Sequence, residues 1–258
     1  KLVWLLAACL PLSAAYPAVD YYTRVNGSLG ANWNSTGSAF DINAFTIRFV
    51  NNTPDQMSEW VGDVAPSANH FSYGVTDGGW AGRSGQAAGG VAVRMDATNR
   101  NGYGCAIIAS GSSTYRIRLR EWTSGTYATI ADSGNQVVTI SFDYRLIAWA
   151  SGTTISCILK DSAGATVLGP ISATDSTYST GRVGWERGTG SQNMSWLEWW
   201  GGDGDGSVVP ARPTTAGNYY ISATATSHIA AGTAADPWPY LDFWADQTRL
   251  PCASVLYQ

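Results

Sequence analysis

The chain is poor in charge. Only 13% of its 258 residues are Asp, Glu, Lys or Arg, and the formal net charge is −4. Lys1 and Lys160 are the two lysines among 15 basic residues, and no basic block forms. Binding nucleic acid needs a clustered positive field, so nucleic acid is not an expected partner. The two histidines, His70 and His228, stand alone, and no Cys-x-x-Cys pair exists. That argues against zinc, whose sites gather several N or S ligands at close spacing. The sequence has no uninterrupted apolar run of roughly 20 residues, the length a membrane-spanning helix needs. A convincing helical period is also missing.

Glycine is abundant instead, at 29 residues, with frequent Ser and Thr. That mixture suits short strands and tight turns, and the length allows one large all-β domain with a small appendage. Residues 180–203, TGRVGWERGTGSQNMSWLEWWGGD, organise the rest. They read as two strands, 182–187 and 194–200, around a Gly/Ser/Asn turn, and so as the closing hairpin of a β-sandwich. Upstream, strands are expected at 44–50, 71–76, 91–95, 103–109, 115–122, 127–131, 136–150, 154–160 and 166–171. The run 136–150 is long enough to be two strands. In 115–122 the alternation is clean: Arg116, Arg118 and Arg120 face one way, Tyr115, Ile117, Leu119 and Glu121 the other. The segment around 56–64 reads as a short helical turn, and 77–90 as a flexible Gly-rich loop. Together these features predict an all-β, two-sheet antiparallel jelly-roll sandwich.

Cys105 and Cys157 each lie in a strand-like run. Buried free thiols are the favoured reading and a cross-strand bridge the alternative. Residues 1–19 form an apolar arm containing Trp4, Leu5 and Leu6. The arm is expected to dock on its own domain or on a neighbouring subunit. The competing reading is a secretory signal, with a lipoprotein-like box at Leu6-Ala7-Ala8-Cys9. Residues 207–258 change character, with a Pro-containing linker, one strand-like run and a Pro/Trp-rich tail bearing Trp238, Phe243 and Trp244. Such a segment cannot build a core alone, so its apolar residues are expected to make assembly contacts in an oligomer.

Several motifs carry a resemblance. Tyr22-Thr23-Arg24 with Asn26-Gly27-Ser28-Leu29-Gly30-Ala31-Asn32-Trp33 resembles the opening of concanavalin A-like lectin/glucanase domains of bacteriophage and bacterial extracellular proteins. Residues 90–95 with Asn101-Gly102-Tyr103 are similar to that family's middle strands, and 180–184 with Leu197, Gly201, Gly202 and Asp203 to its last two. The likeness spans residues 20–206 as a domain. It implies a jelly roll with one concave face, used for glycan binding in lectins and for catalysis in the related glucanases. Those glucanases carry closely alternated carboxylates on one strand, placing acid and nucleophile about 5 Å apart. Here Glu59, Glu121, Glu186 and Glu198 are isolated from one another, so no catalytic residue is assigned and a glycoside hydrolase is the least favoured reading.

The expected glycan site uses Trp80 and Arg83 of the Gly-rich loop with Asp77, and Trp122, Trp149 and Trp185 as further stacking candidates. No cofactor is required. The resemblance allows a calcium ion between Asp20 and Asp203 at the two ends of the domain. The favoured function is a non-catalytic structural or adhesive component of a tailed-phage virion, located on the virion or outside the cell. A secreted or surface-anchored lectin is the alternative.

Overall fold

The computed structural model describes residues 18–204, apart from 21, 23–25, 37–39, 44–45, 50–55, 63–65, 78–79, 81–86 and 189–193. Trp4, Leu5, Leu6, Arg83, Trp238, Phe243 and Trp244 lie outside the described residues. Among those described, the chain forms strands and no helix. In order these are β1 (Ala18–Asp20), β2 (Trp33–Ser35), β3 (Phe40–Asn43), β4 (Thr46–Phe49), β5 (Gln56–Trp60), β6 (His70–Asp77), β7 (Ala87–Asp96) and β8 (Asn101–Gly111). They continue with β9 (Thr114–Thr123), β10 (Thr126–Asp132), β11 (Gln136–Val137), β12 (Phe142–Ser151), β13 (Thr154–Lys160), β14 (Thr166–Thr174), β15 (Arg182–Arg187) and β16 (Met194–Asp203).

Two antiparallel sheets face each other. Sheet A runs β14-β13-β12-β6-β16-β4-β3, with β1 also on β16; sheet B runs β10-β9-β8-β7-β15-β5-β2, with β11 also on β9. This is the expected jelly-roll sandwich. Period-2 alternation explains which side chains meet between the sheets. On β9, Tyr115, Ile117 and Leu119 are buried in the core while Arg116 and Arg118 alternate with them. On β12 and β13, Leu146, Ala148, Ala150, Ile155, Cys157 and Leu159 take the same inward role.

The structure corrects three local expectations. β15 and β16 are not a hairpin: β15 pairs with β5 and β7 in sheet B, β16 with β1, β4 and β6 in sheet A. Each strand turns a tryptophan inward, and Trp185 and Trp196 meet with ring centroids 5.0 Å apart. The two strands therefore touch across the core, which a flat hairpin does not allow. Residues 56–60 are a strand rather than a helical turn. All five are buried between β15 and β2, where a ladder on both sides outweighs local preference. The Gly-rich segment ends early, because Ala87–Gly90 already pair with β8. The run 136–150 is two strands, β11 and β12.

Cys105 and Cys157 form a disulfide, with Cα atoms 6.0 Å apart and a sequence separation of 52. This replaces the free-thiol reading. The alternative, a bridge between the two strands, is what forms, and it joins β8 of sheet B to β13 of sheet A. It ties the sheets together through the core.

His70 starts β6 and is buried. Its Nε2 accepts the backbone N–H of Arg94 at 2.7 Å, which fixes the neutral imidazole. Burial, with the nearby Arg94 charge, pushes its pKa down to about 3. Arg94 sits at φ +50° and sends its guanidinium to the carbonyls of Ala68 (3.0 Å), Tyr178 (3.1 Å) and Gly152. This arginine holds three connections together at one end of the sandwich.

Two stability measurements follow from these features. Closing a loop of this length by a disulfide contributes about 4 kcal/mol through the unfolded chain. Reduction, or the Cys105→Ala/Cys157→Ala pair, should lower the urea midpoint accordingly; an unchanged midpoint would refute the bridge. His70 has a depressed folded pKa, so the unfolded chain takes up its proton first as pH falls below about 6.5. Stability should drop by about 1.6 kcal/mol in all between pH 6.5 and 5, the slope steepening towards about 1.4 kcal/mol per pH unit, above the range where most carboxylates titrate. In His70→Gln this slope should flatten, and an equal slope in the variant would exclude His70 as its source.

Candidate functional site

The tryptophans expected to stack on sugar are structural. Trp80 is fully buried, its ring edge-on to Trp196 at 5.2 Å. Trp185 is core, and its indole N–H donates to the Tyr22 hydroxyl at 2.7 Å. Trp122 is also buried, with Met57, Ala92, Met95 and Ala97 around it and Tyr127 at 5.0 Å. None of the three presents a face to a ligand. Trp149 is half-buried on β12. A strongly apolar indole is more stable between two sheets than on the surface, which the sequence pattern could not distinguish.

The calcium pairing is not formed either. Asp20 is buried, and its carboxylate accepts the Trp33 indole N–H at 2.7 Å and the Tyr22 backbone N–H at 2.9 Å. Asp20 lies opposite Trp199, four residues along β16 from the exposed Asp203. Four strand residues span about 13 Å, too far to share one cation. No group of three or more His, Cys, Asp or Glu suited to a metal occurs among the described residues.

The outward face of sheet B carries one charged constellation. Arg120 and Glu186 are 1% and 0% exposed, with Arg120 NH1 3.2 Å from Glu186 Oε2. The Arg120 guanidinium also lies 4.2 Å over the Tyr127 ring. Glycine makes room for the pair: a Cβ on Gly104 would sit 2.6 Å from Glu186 Cγ and 2.9 Å from Trp122 Nε1. The arginine stripe on β9 therefore divides. Arg118 and Arg116 meet Asp132 at 2.6 and 3.6 Å near the surface, while Arg120 is sequestered with Glu186. Partial burial opposes ionisation of Asp132, but the hydrogen bond from Arg118 wins and holds its carboxyl below the usual range. Glu59 lies on the neighbouring β5, opposite Gly184 and so diagonal to Glu186. It accepts Asn34 Nδ2 at 2.8 Å and the Ala97 N–H at 3.2 Å.

A second constellation lies at the far end of β6 from His70. Phe142 pairs directly with Asp77, so their side chains share one face of sheet A. Phe142 is 55% exposed, and Asp77 accepts the Ser195 hydroxyl of β16. The pairing between β6 and β12 shifts register after Phe142, a bulge in which Asp143 adopts φ +62°. Thr76 stabilises the bulge from both sides. Its hydroxyl donates to the Ser141 carbonyl at 2.7 Å and accepts the Tyr144 N–H at 3.0 Å. Arg145 NH2 lies 3.6 Å from Asp143. Asp77 was identified from sequence. Phe142 was missed, because the run 136–150 gives no sign of which aromatic a bulge will turn outward.

Removing one partner of a buried ion pair leaves the other charge uncompensated, at about 3–5 kcal/mol. Glu186→Gln should therefore lower unfolding free energy on that scale, while Glu186→Leu/Arg120→Leu should recover most of the loss. A Glu186→Gln protein as stable as the parent would mean the pair carries no net interaction.

No family model matches this chain, and no curated protein sequence matches it. Solved structures do. The exoplasmic/lumenal domain of VIP36, in its Ca2+/Man2-bound form, aligns over 77% of this chain and 90% of that one at TM-score 0.50 and 13% identity. The GH43 protein BlXynB from Bacillus licheniformis aligns over 72% of this chain and 39% of that one at TM-score 0.50 and 15% identity. This chain thus corresponds to well under half of that protein's length. The CBM2 module of the evolved Dit of Lactobacillus casei BL23 phage J-1 aligns over 72% of this chain and 94% of that one, at TM-score 0.49 and 8% identity. At such identities the likeness is one of fold. The described domain is an all-β, two-sheet antiparallel jelly roll, and it shares that fold with the VIP36 and BlXynB structures.

Proposed function

We propose that this protein is a non-catalytic, glycan-binding adhesive component of a larger extracellular assembly, with a tailed-phage virion as the favoured setting. The observation that carries the non-catalytic part is how the buried carboxylates are used. Asp20 holds Trp33 and Tyr22, Glu59 holds Asn34 and the Ala97 N–H, and Glu186 neutralises Arg120. A general acid or nucleophile must reach substrate, whereas these groups are enclosed and engaged in holding the strands. The jelly-roll fold and the mannose-bound VIP36 domain support glycan binding. The low net charge and absence of a basic block fit a partner that is not nucleic acid. The apolar stretches at both ends of the chain, with Trp4, Leu5, Leu6, Trp238, Phe243 and Trp244, support docking into an assembly.

One observation favours a second reading, a glycoside hydrolase. Glu59 and Glu186 lie on adjacent strands and on the same face, at diagonal positions whose backbones stand about 7–8 Å apart. Two assays separate the readings. The full chain, screened on immobilised oligosaccharides, should bind at least one class and release no reducing sugar from xylan or β-glucan. Hydrolysis abolished by Glu186→Gln would replace the adhesive reading with the enzymatic one. Native mass spectrometry of the full chain should give a multi-subunit species, and a strictly monomeric protein would remove the assembly part.

A further inference from the structure

Every described tryptophan except Trp149 is buried and packs its ring on another aromatic. Trp149 is half-buried. Among the described residues its ring meets no aromatic and its indole N–H finds no acceptor. An indole in this position forgoes part of the stabilisation that burial gives the others. It is also free to stack on something else.

The strand ladder fixes what surrounds it. Trp149 pairs with Phe71 of β6 on one side and Ser156 of β13 on the other, and Ser156 pairs with Ser172 of β14. The next outward row joins Ser151, Thr154 and Thr174 across the same three strands. Alternation turns the residues between these rows into the core, where Ala148, Ala150, Ile155 and Cys157 are buried. The outward face of sheet A therefore sets one indole in a field of hydroxyls. Ser151, Thr154, Ser172 and Thr174 are exposed, and among the described residues no side chain of either row takes a hydrogen bond within the domain.

The field is also uncharged. On β12, β13 and β14 the nearest charges of this face are the paired Arg145 and Lys160, four residues along each strand and so about 13 Å away. Asp175, just beyond β14, commits its carboxylate to the Tyr103 hydroxyl at 2.6 Å and the Thr177 N–H at 2.8 Å. Hydroxyls both donate and accept, so they match the rim of a polyol, and the indole face matches its C–H surface. A ligand carboxylate would find no cation here to offset its loss of water.

We infer that the Trp149 face of sheet A, across β12, β13 and β14, is a binding site for a neutral pyranose, with the indole against the sugar's C–H face and the Ser/Thr rows hydrogen-bonding its hydroxyls. The assignment rests on the glycan-binding reading above and adds the place and the sugar class. Trp149 is held between two paired strands, so the platform is ordered before the ligand arrives.

The test is binding of the full chain to immobilised neutral oligosaccharides of mannose, glucose and galactose, alongside oligosaccharides of uronic acids. Neutral sugars should be bound in preference to uronic ones. Affinity should fall about tenfold in Trp149→Ala and stay within about threefold in Trp149→Tyr, which keeps a ring to stack on. The Ser172→Ala/Thr174→Ala pair should lose about threefold or more. Both of its positions are exposed on the edge strand β14, so it decides the matter if Trp149→Ala fails to fold. A soluble neutral sugar should also change the tryptophan fluorescence of the parent and leave that of Trp149→Tyr unaltered. Parent binding undiminished in Trp149→Ala, or in the serine/threonine pair should Trp149→Ala not fold, would overturn this site and leave the glycan-binding reading standing. Preference for uronic sugars would overturn the neutral class. A parent chain that binds none of these sugars would overturn both the site and the reading it rests on.

Discussion

The interlocked aromatic layer between the sheets is the constraint on which the rest of the structure depends. Trp33 and Trp60 from sheet B enclose Trp199 from sheet A, with ring centroids 4.8 and 5.3 Å from it. Beside them Trp185 of sheet B packs on Trp196 and Phe49 of sheet A, at 5.0 and 5.6 Å. Burying one such side chain removes roughly 200 Å² from water and contributes about 5 kcal/mol before entropy is counted. An exposed ion pair contributes about 0–1 kcal/mol. In a chain with 13% charged residues, this layer decides the fold and surface ion pairs do not.

Packing so many large rings into one layer sets demands on their neighbours. Gly74 on the central strand β6 has no side chain because a Cβ there would lie 2.7 Å from the Trp185 ring. Ser72, one pleat away, accepts the Trp199 indole N–H at 2.9 Å and donates to the Gly184 carbonyl of the facing sheet at 3.0 Å. Asp20 performs the same service for Trp33. The indole N–H groups of Trp33, Trp185 and Trp199 are thus satisfied by Asp20, Tyr22 and Ser72, which limits the cost of burying them, whereas the buried indole N–H groups of Trp80 and Trp196 find no acceptor. The Cys105–Cys157 bridge fastens the two sheets where the core becomes aliphatic. Such bonds persist in oxidising surroundings.

Strand β6 connects two ends of the sandwich. At its start His70 and Arg94 bind connections from both sheets into a closed, desolvated end. At its finish Asp77 pairs with Phe142 beside the β12 bulge and accepts the Ser195 hydroxyl of β16. A rigid strand carries both, so the corner is supported by the same central ladder that holds the core. Of the tryptophans named from sequence, Trp80 and Trp185 are in the core, Trp122 is buried on the outward face of sheet B and Trp149 is half-buried on β12.

The sequence alone determined the all-β class, most strand positions and the inward set of β9, because alternation along a strand is a local property. Turn residues such as Asn26-Gly27 and Asn101-Gly102, and the core position Trp33, were likewise legible in the chain. Only the tertiary structure decided that β15 and β16 belong to different sheets, that Cys105 and Cys157 meet, and that Glu186 neutralises Arg120. Each of these joins residues far apart in sequence or separates neighbours, and the outcome depends on the packing of the whole layer. The same holds for the site. Asp77 was legible as a polar residue at a strand end, whereas Trp80 and Trp185 looked like exposed aromatics until the sheets closed over them, and Trp122 until it packed with Met57 and Met95 on the outward face of sheet B. Phe142 came into view only with the bulge, since one unpaired residue in a ladder reverses which side chain faces water.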